Sequence, residues 1–404
     1  MESLSFRQKA QRLWGNKILN ITRERGTVSK SDLCQQLGIS TTALNGVLNQ
    51  LIQKQYVKDA GIGPSSGGRK PSLISLNGNG AYLLGLEFSI EGLSCAILNL
   101  EMKICYQNFR AFHLTETAEE LITAILEETS SALEQTQVPE KMILGACIGV
   151  PGHVDYDTGT LVLYTSHPMW NNLELVKRLQ PHFPWPLFLK NNVDVMPYAY
   201  KWVYRNGTCE DHAIMAIRYG FKISSCLNNQ QVRGNHGFTG EIGHMRVAGS
   251  NRLCRCGKRG CFDTEVTYEA ICHKIQEGLH VGLFPHLATA IEQNGGQLTI
   301  DLFIQACNDG DEDALRLMQE TADTLCSAIS WVYYTIDPAV LLINSRLGQY
   351  RGFYNLLSKL LYEHHENSFT YGKMIVRPSP FGEYFGAIGA AAYVYEYNFG
   401  MTLE

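Results

Sequence analysis

Residues 239–265, TGEIGHMRVAGSNRLCRCGKRGCFDTE, hold three cysteines within eight residues, Cys254, Cys256 and Cys261, and His244 stands ten residues before the first. Thiolate and imidazole are the ligands a tetrahedral zinc prefers. Gly257 and Gly260 lie inside the loop between Cys256 and Cys261, where a chain wrapping an ion must turn tightly. Lys258 and Arg259 at the loop tip can offset the charge of three thiolates. His244, Cys254, Cys256 and Cys261 make four protein ligands, so the expected ion is a structural Zn2+ with no open position for water. The competing readings are a metal-free cysteine loop and a zinc ribbon on nucleic acid. The ribbon would need a second knuckle, and the sequence contains none.

The same stretch carries a resemblance. Glu241-Ile242-Gly243-His244 followed by CRCGKRGC resembles the signature of the ROK family, which groups repressors, open reading frames and sugar kinases. The resemblance implies a zinc knuckle tied to a sugar pocket. Glu241 and His244 would reach sugar hydroxyls, and His244 would also ligate the metal.

Composition bounds the rest. A chain of 404 residues has room for two or three domains, and 45% hydrophobic residues suit a large globular core. No apolar run reaches the length of a membrane helix, and the N-terminus MESLSFRQKAQRLWGN has no apolar signal core. The other cysteines, among them Cys34, Cys95 and Cys307, are scattered through ordinary core-like stretches, which predicts free thiols in a reducing cytoplasm. Residues 1–80 carry 11 Lys/Arg against 4 Asp/Glu, a balance of +7, and the whole chain is at −5, which leaves −12 on the remainder. A basic first segment on an acidic body predicts that only the first part meets a polyanion.

That first segment reads as helices. Arg7 to Arg25 is one, closed by Gly26; Ser29 caps a short helix from Lys30 to Leu37, with Asp32 as its capping-box partner, and Gly38 ends it. In the next helix Leu44, Val47, Leu48, Leu51 and Ile52 form an apolar stripe, leaving Ser40, Thr41, Thr42, Asn45 and Asn49 on the polar side. This order is that of a helix-turn-helix, with small hydrogen-bonding groups where base edges are read. Gly46 costs the helix about 1 kcal/mol relative to alanine, for which close approach of another backbone is one explanation. Tyr56-Val57-Lys58 and Leu73 to Leu76 read as two strands around GIGPSSGGRKP, a wing whose Arg69 and Lys70 can reach a phosphate backbone. The segment GPSSGGRKPSLISLN also resembles the wing of ROK-family repressors. A protein-docking three-helix domain is the alternative. One winged helix reads a short site weakly, so a homodimer or homotetramer on operator DNA is expected.

From Tyr82 the pattern becomes strands alternating with helices, and it restarts after residue 200. This predicts an α/β body of two similar lobes. With the family signature it resembles the actin and hexokinase type of fold, two lobes closing on a cleft. The expected division is a winged helix-turn-helix over 1–77, a first lobe over 81–195 joined by a C-terminal helix over 383–404, and a second lobe over 196–382 that holds the knuckle.

The resemblance also tests for kinase chemistry. The ROK kinases place an Asp-x-Gly-Gly-Thr loop after the first strand, and here that stretch reads Glu87-Phe88-Ser89-Ile90. Their second Gly-Thr-Gly turn aligns with Arg218-Tyr219-Gly220-Phe221-Lys222, and their late Gly-Gly pair with Asn344-Ser345. Their Asn-Asp dyad is Asn191-Asn192 here, and an amide cannot take a proton from an attacking hydroxyl. No residue is therefore assigned a catalytic role. The sugar positions survive better: the resemblance implies hydroxyl contacts from Asn191, Asn192, Glu241, His244 and Asp263. Trp170 in HPMWNNLEL can stack on a pyranose face. The expectation is a cytoplasmic, sugar-responsive or sugar-phosphate-responsive transcription regulator with no enzymatic activity. The rivals are a sugar kinase with a DNA-binding appendage and a ligand-independent DNA-binding oligomer.

Overall fold

The computed structural model describes residues 6–64, 70–111, 117–365 and 374–400. The chain forms two compact units, one built from Met1–Cys209 with Glu383–Glu404 and the other from Glu210–Gly382.

The first unit begins with α1 (Phe6–Arg25), β1 (Thr27–Ser29), α2 (Lys30–Leu37), α3 (Thr41–Gln53), β2 (Val57–Ile62) and β3 (Ser72–Leu76). Local chemistry sets the helix ends. The Ser29 hydroxyl accepts the Asp32 amide at 3.0 Å, the Ser40 hydroxyl accepts the Ala43 amide at 3.3 Å, and Gly38 turns left-handed at φ +63°. Leu44, Val47, Leu48 and Leu51 are buried with Ile18, Leu19 and Leu33, each side chain contributing about 1.5–3 kcal/mol of transfer free energy. The three strands form an antiparallel sheet in the order β1-β3-β2. β1 has no signal of its own in the sequence. It is three residues long and exists because Thr27–Ser29 pairs with Leu73–Ser75.

The body of this unit follows as β4 (Tyr82–Ser89), β5 (Gly92–Asn99), β6 (Ile104–Ala111), α4 (Ala118–Thr136), β7 (Ile143–Val150), β8 (His153–Asp155), β9 (Thr160–Leu163), α5 (Leu175–Leu179), β10 (Leu187–Asn191) and α6 (Met196–Ala199). Its five-stranded sheet runs β10-β7-β4-β5-β6. β4 to β6 are antiparallel neighbours, and β7 and β10 join in parallel. Leu121, Ala124 and Ile125 of α4 belong to the core built on this sheet. The C-terminal helix, Phe385–Phe399, packs on β4, β5 and β7. Its small residues have a geometric cause. A Cβ at Gly85 would collide with the Ala387 carbonyl, and one at Gly389 with the Val195 carbonyl, so backbones meet where side chains cannot fit. α6 also packs on this helix. The boundary between units therefore falls after Cys209, whereas the alternation in sequence placed it at 195/196.

The second unit runs β11 (His212–Ile217), β12 (Phe221–Leu227), β13 (Gln230–Gln231), α7 (Asp263–Val266), α8 (Tyr268–His280), α9 (Pro285–Gln293), α10 (Ile300–Asp309), α11 (Glu312–Ile336), β14 (Val340–Asn344), α12 (Phe353–His365) and β15 (Ile375–Pro378). Its sheet runs β13-β12-β11-β14-β15, with β11, β14 and β15 parallel. Ile217, Phe221, Ile271, Phe303, Ile329 and Leu341 are among the residues of its core. Among the described residues no helix is long and apolar enough to cross a membrane.

Candidate metal centre and ligand-binding residues

The 3-10 turn Ile242–His244 is held against β12 by two glycines. Gly240 has φ +81°, and a Cβ there would strike the Ile223 carbonyl. A Cβ at Gly243 would strike the Asp263 carboxylate and the Phe221 carbonyl. The knuckle closes on itself: the Cys254 amide donates to the Lys258 carbonyl at 2.8 Å, and the Gly257 amide to the Cys254 carbonyl at 2.9 Å. Gly257 and Gly260 have φ of +85° and +77°, the left-handed turns a loop around an ion requires.

These turns bring His244, Cys254, Cys256 and Cys261 together, one ligand atom from each, all within 4.8 Å of one another. Cys254 Sγ lies 3.8 Å from His244 Nδ1, and Cys256 Sγ lies 3.7 Å from Cys261 Sγ. A tetrahedral zinc with bonds of about 2.3 Å to sulfur and about 2.0 Å to nitrogen has ligand separations of about 3.5–3.8 Å, so the cluster can hold a metal ion. Burial, then the neighbouring thiols, push Cys261 up to about 12, and burial also raises Cys254. Burial opposes the Cys256 thiolate, yet the Lys258 amide, the other two thiols and the Lys258 charge bring it below the ordinary thiol value.

Asp263 adjoins the cluster. Its Oδ2 is 3.8 Å from His244 Nδ1, its Oδ1 accepts the Phe221 amide at 3.0 Å, and burial raises its pKa. Glu241 is paired with Lys222, Nζ to Oε1 at 3.0 Å, with the two side chains 9% and 33% exposed for Lys and Glu. The sequence reading gave Lys222 no partner, although a lysine second in the run FKISSCL is a buried cation that needs one.

In the first unit Asn191 ends β10 and Asn192 opens the turn after it, and they are 5% and 8% exposed. Asn191 donates to the Gly152 carbonyl at 2.9 Å and accepts the Val193 amide at 3.0 Å. Asn192 donates to the Glu87 carboxylate at 3.1 Å. Trp170 corrects the sequence reading. It is 0% exposed and lies in the core, 5.1 Å from the Phe88 ring and 5.0 Å from His167, so no face is open to a pyranose. The 3-10 turn Pro168–Trp170 points the indole inward, and Phe88 packs against it.

In the second unit, two stretches that the resemblance sets against glycine turns of the kinases are bonded to each other. Arg218 donates from Nε and Nη2 to Asn344 Oδ1 at 2.9 and 2.7 Å. Asn344 then donates to Ser379 Oγ and the Gly382 carbonyl, both at 2.9 Å.

On α3, Thr41, Thr42 and Asn49 are exposed and Asn45 is half-buried. Ser40 is exposed and serves as the helix cap. Lys70 is exposed, while Arg69, Gly67 and Gly68 of the wing lie outside the described residues. Within the described residues nothing lies within 4 Å of a Cβ built at Gly46, so close approach inside the chain does not explain that glycine.

A winged helix-turn-helix, a kinase-like pair of sheets and a knuckle of one histidine and three cysteines together define a class of chains, and comparison with known proteins agrees. The ROK family model matches residues 83–396. The xylose repressor of Caldicellulosiruptor bescii is 22% identical over 329 residues, covering 81% of this chain and 82% of the relative. A ROK family transcriptional regulator described as a homologue of the E. coli Mlc protein superposes with a TM-score of 0.81 at 18% identity, covering 97% of each chain. A ROK glucokinase from Streptomyces griseus, in complex with glucose and AMPPNP, superposes at 0.67 with 18% identity, over 78% of this chain and 99% of that one. The chain belongs to the ROK family.

Proposed function

We propose that this chain is a cytoplasmic DNA-binding transcription regulator, a repressor of carbohydrate-metabolism genes that responds to a sugar or sugar phosphate and does not transfer phosphate. One observation carries the reading. The position that needs a proton-accepting carboxylate holds Asn192, hydrogen-bonded to Glu87, in the same unit as a winged helix with an exposed polar recognition face. The bonded pair Arg218 and Asn344, in the two stretches set against glycine turns of the kinases, supports it.

The recognition residues are Ser40, Thr41, Thr42, Asn45 and Asn49, with Arg69 and Lys70 on the backbone phosphates. The protein reads operator DNA as a homodimer or homotetramer. Zinc is held by His244, Cys254, Cys256 and Cys261 and is structural, because the four ligands complete its shell. It stiffens the loop that carries His244 beside Asp263. Glu241, His244 and Asp263 offer donors and acceptors to sugar hydroxyls, and so do Asn191 and Asn192. A sugar alters DNA affinity only by binding one conformation better than the other. The relative from C. bescii, named a xylose repressor, is consistent with a sugar effector.

A thermal-shift panel of D-xylose, D-glucose, N-acetylglucosamine and the 6-phosphates of the last two, run beside a coupled ATP assay, tests the reading. Stabilisation by one sugar without ATP turnover is expected. Turnover of ATP, or no stabilisation by any sugar, would overturn it.

A further inference from the structure

Arg23, in the last turn of α1, is where the DNA-binding helices are fastened to the body of the first unit. Its Nη2 donates to the Asn206 carbonyl at 2.9 Å, and its Nη1 donates to the Asn206 side-chain oxygen. The guanidinium carbon lies 4.8 Å from the Trp202 ring centre and 5.7 Å from that of Tyr395, within cation–π range. Gly207 has φ +94°, and a Cβ there would collide with the guanidinium and with Trp202. The clamp is therefore a built seat for one arginine. Trp202 is itself braced: its Nε1 donates to Glu396 Oε2 at 2.6 Å, and Lys201 Nζ donates to the same oxygen at 3.0 Å. Asn20 adds a second tie, donating to the Phe399 carbonyl at 3.1 Å and accepting the Tyr395 hydroxyl at 3.0 Å.

The residues that form the seat descend directly from the sugar positions. Asn191 and Asn192 lead through the turn at Val193–Val195 into α6, and α6 runs into a π-helical turn, Tyr200–Tyr204, which carries Trp202 and stops just short of Asn206. π turns are rare and concentrate where function requires an irregular helix. On the other side, α1 packs on α2, α3 and β3, so a change in the angle of α1 carries the recognition helix with it. The hydrogen bonds of Arg23 to Asn206 are solvent-exposed, unlike the buried Lys201–Glu396 pair at 9% and 11% exposure. Hydrogen bonds at the surface can be exchanged for water at less cost than buried ones, so the Asn206 contacts are the weaker part of the assembly.

We propose that Arg23 is a positioning residue that passes sugar occupancy at Asn191 and Asn192 to the DNA-binding helices, through the π turn and the Asn206 clamp. This rests on the sensor reading above. A shift of the Asn191–Asn192 backbone moves α6 and the π turn, which repositions Trp202 and Asn206 under the guanidinium. The orientation of α1 follows, and with it operator affinity.

The test uses the full chain, an operator obtained by selection from random duplex DNA, and the member of the sugar panel that binds. In the wild type that sugar should change operator Kd by about fivefold or more, the usual lower bound of a coupling between sites. Arg23→Ala and Asn206→Ala should each bring the ratio below about twofold, with sugar Kd by calorimetry unchanged. A purely structural arginine would lower stability and leave the ratio alone, so retention of the wild-type ratio in both variants overturns the proposal. If no sugar binds the wild type, the sensor reading fails and the clamp is judged separately, by hydrogen exchange on the free chain. Asn206→Ala should then speed amide exchange over residues 20–25 only when Arg23 is present. An equal effect in an Arg23→Ala background overturns the clamp without reference to any ligand.

Discussion

Asn192 donates its side-chain amide to the carboxylate of Glu87 at 3.1 Å, and the two residues are 8% and 1% exposed. This contact makes a carboxylate at position 192 hard to accommodate. An aspartate at 192 would set two buried carboxylates within hydrogen-bonding reach, and one of them would be forced to keep a proton. We expect Asn192→Asp to lose about 1–3 kcal/mol at neutral pH and to gain no kinase activity. The folded-state pKa of the new pair lies above the ordinary value of about 3.9, so the deficit grows as pH rises from that value toward the raised one. Urea unfolding of both proteins at pH 5 and pH 8 measures this. A deficit that is the same at both pH values would show that the carboxylates do not interact.

The knuckle predicts a proton-coupled metal. Zinc needs thiolates, and burial with the neighbouring thiols pushes the Cys261 thiol up to about 12, so metal binding must release protons. Native mass spectrometry should find one zinc per chain. The bound fraction in the presence of a competing chelator should fall as pH falls from 7.5 to 5.5. Cys256→Ser should lower zinc content and melting temperature together. Full metal content in that variant would mean that the ligand set is wrong.

Gly46 offers a separation of stability from recognition. It is exposed on α3 beside Asn45, with free space around it, and has helical neighbours on both sides. Gly46→Ala should stabilise the fold by about 0.5–1 kcal/mol, the propensity difference. It should weaken operator binding, because the glycine keeps a gap on the face that reads DNA. A variant that is more stable and binds as tightly as wild type would leave the glycine without a role in recognition.

Lys222 and Glu241 predict a divided phenotype. The pair is 3.0 Å apart with the lysine nearly buried. Lys222→Met should free the Glu241 carboxylate from its partner and weaken sugar binding at least tenfold, about 1.4 kcal/mol, while operator affinity without sugar is unchanged. Calorimetry and operator titration read the two halves. Loss of both together would point to unfolding of the second unit instead.

Salt reports on the wing. Operator affinity should fall steeply between about 50 and 200 mM salt, as for any phosphate-dominated contact. Replacing the exposed Lys70 by alanine should reduce the slope by about one. A flat salt response would contradict the DNA-binding assignment of the wing.

Much of this was legible in one dimension, for identifiable reasons. The helices of the first segment follow from apolar spacing and from caps at Ser29, Ser40 and Gly38, and the structure places those ends accordingly. The cluster of His244, Cys254, Cys256 and Cys261, which can hold a metal, was readable because the spacing and type of such residues are chemical requirements that survive any fold. The absence of a base at 192 needed only the identity of an amide. Other features were not readable. Trp170 looked like a sugar platform by composition, yet its direction is set by packing on Phe88 and His167. β1 is three residues whose strand state depends on a partner far along the chain.

The amino-acid order alone therefore carried the cluster of His244, Cys254, Cys256 and Cys261, the helix order of the first segment and the amide at position 192, since each rests on side-chain identity or on periodicity within a single element. Only the tertiary structure decided that Asn192 answers to Glu87, that Arg218 bonds to Asn344, and that Arg23 is seated on Asn206. Those partners are 105, 126 and 183 residues apart. Contacts at such separation are selected by how sheets and helices pack against each other, and local propensity carries no information about which distant surface a side chain will meet.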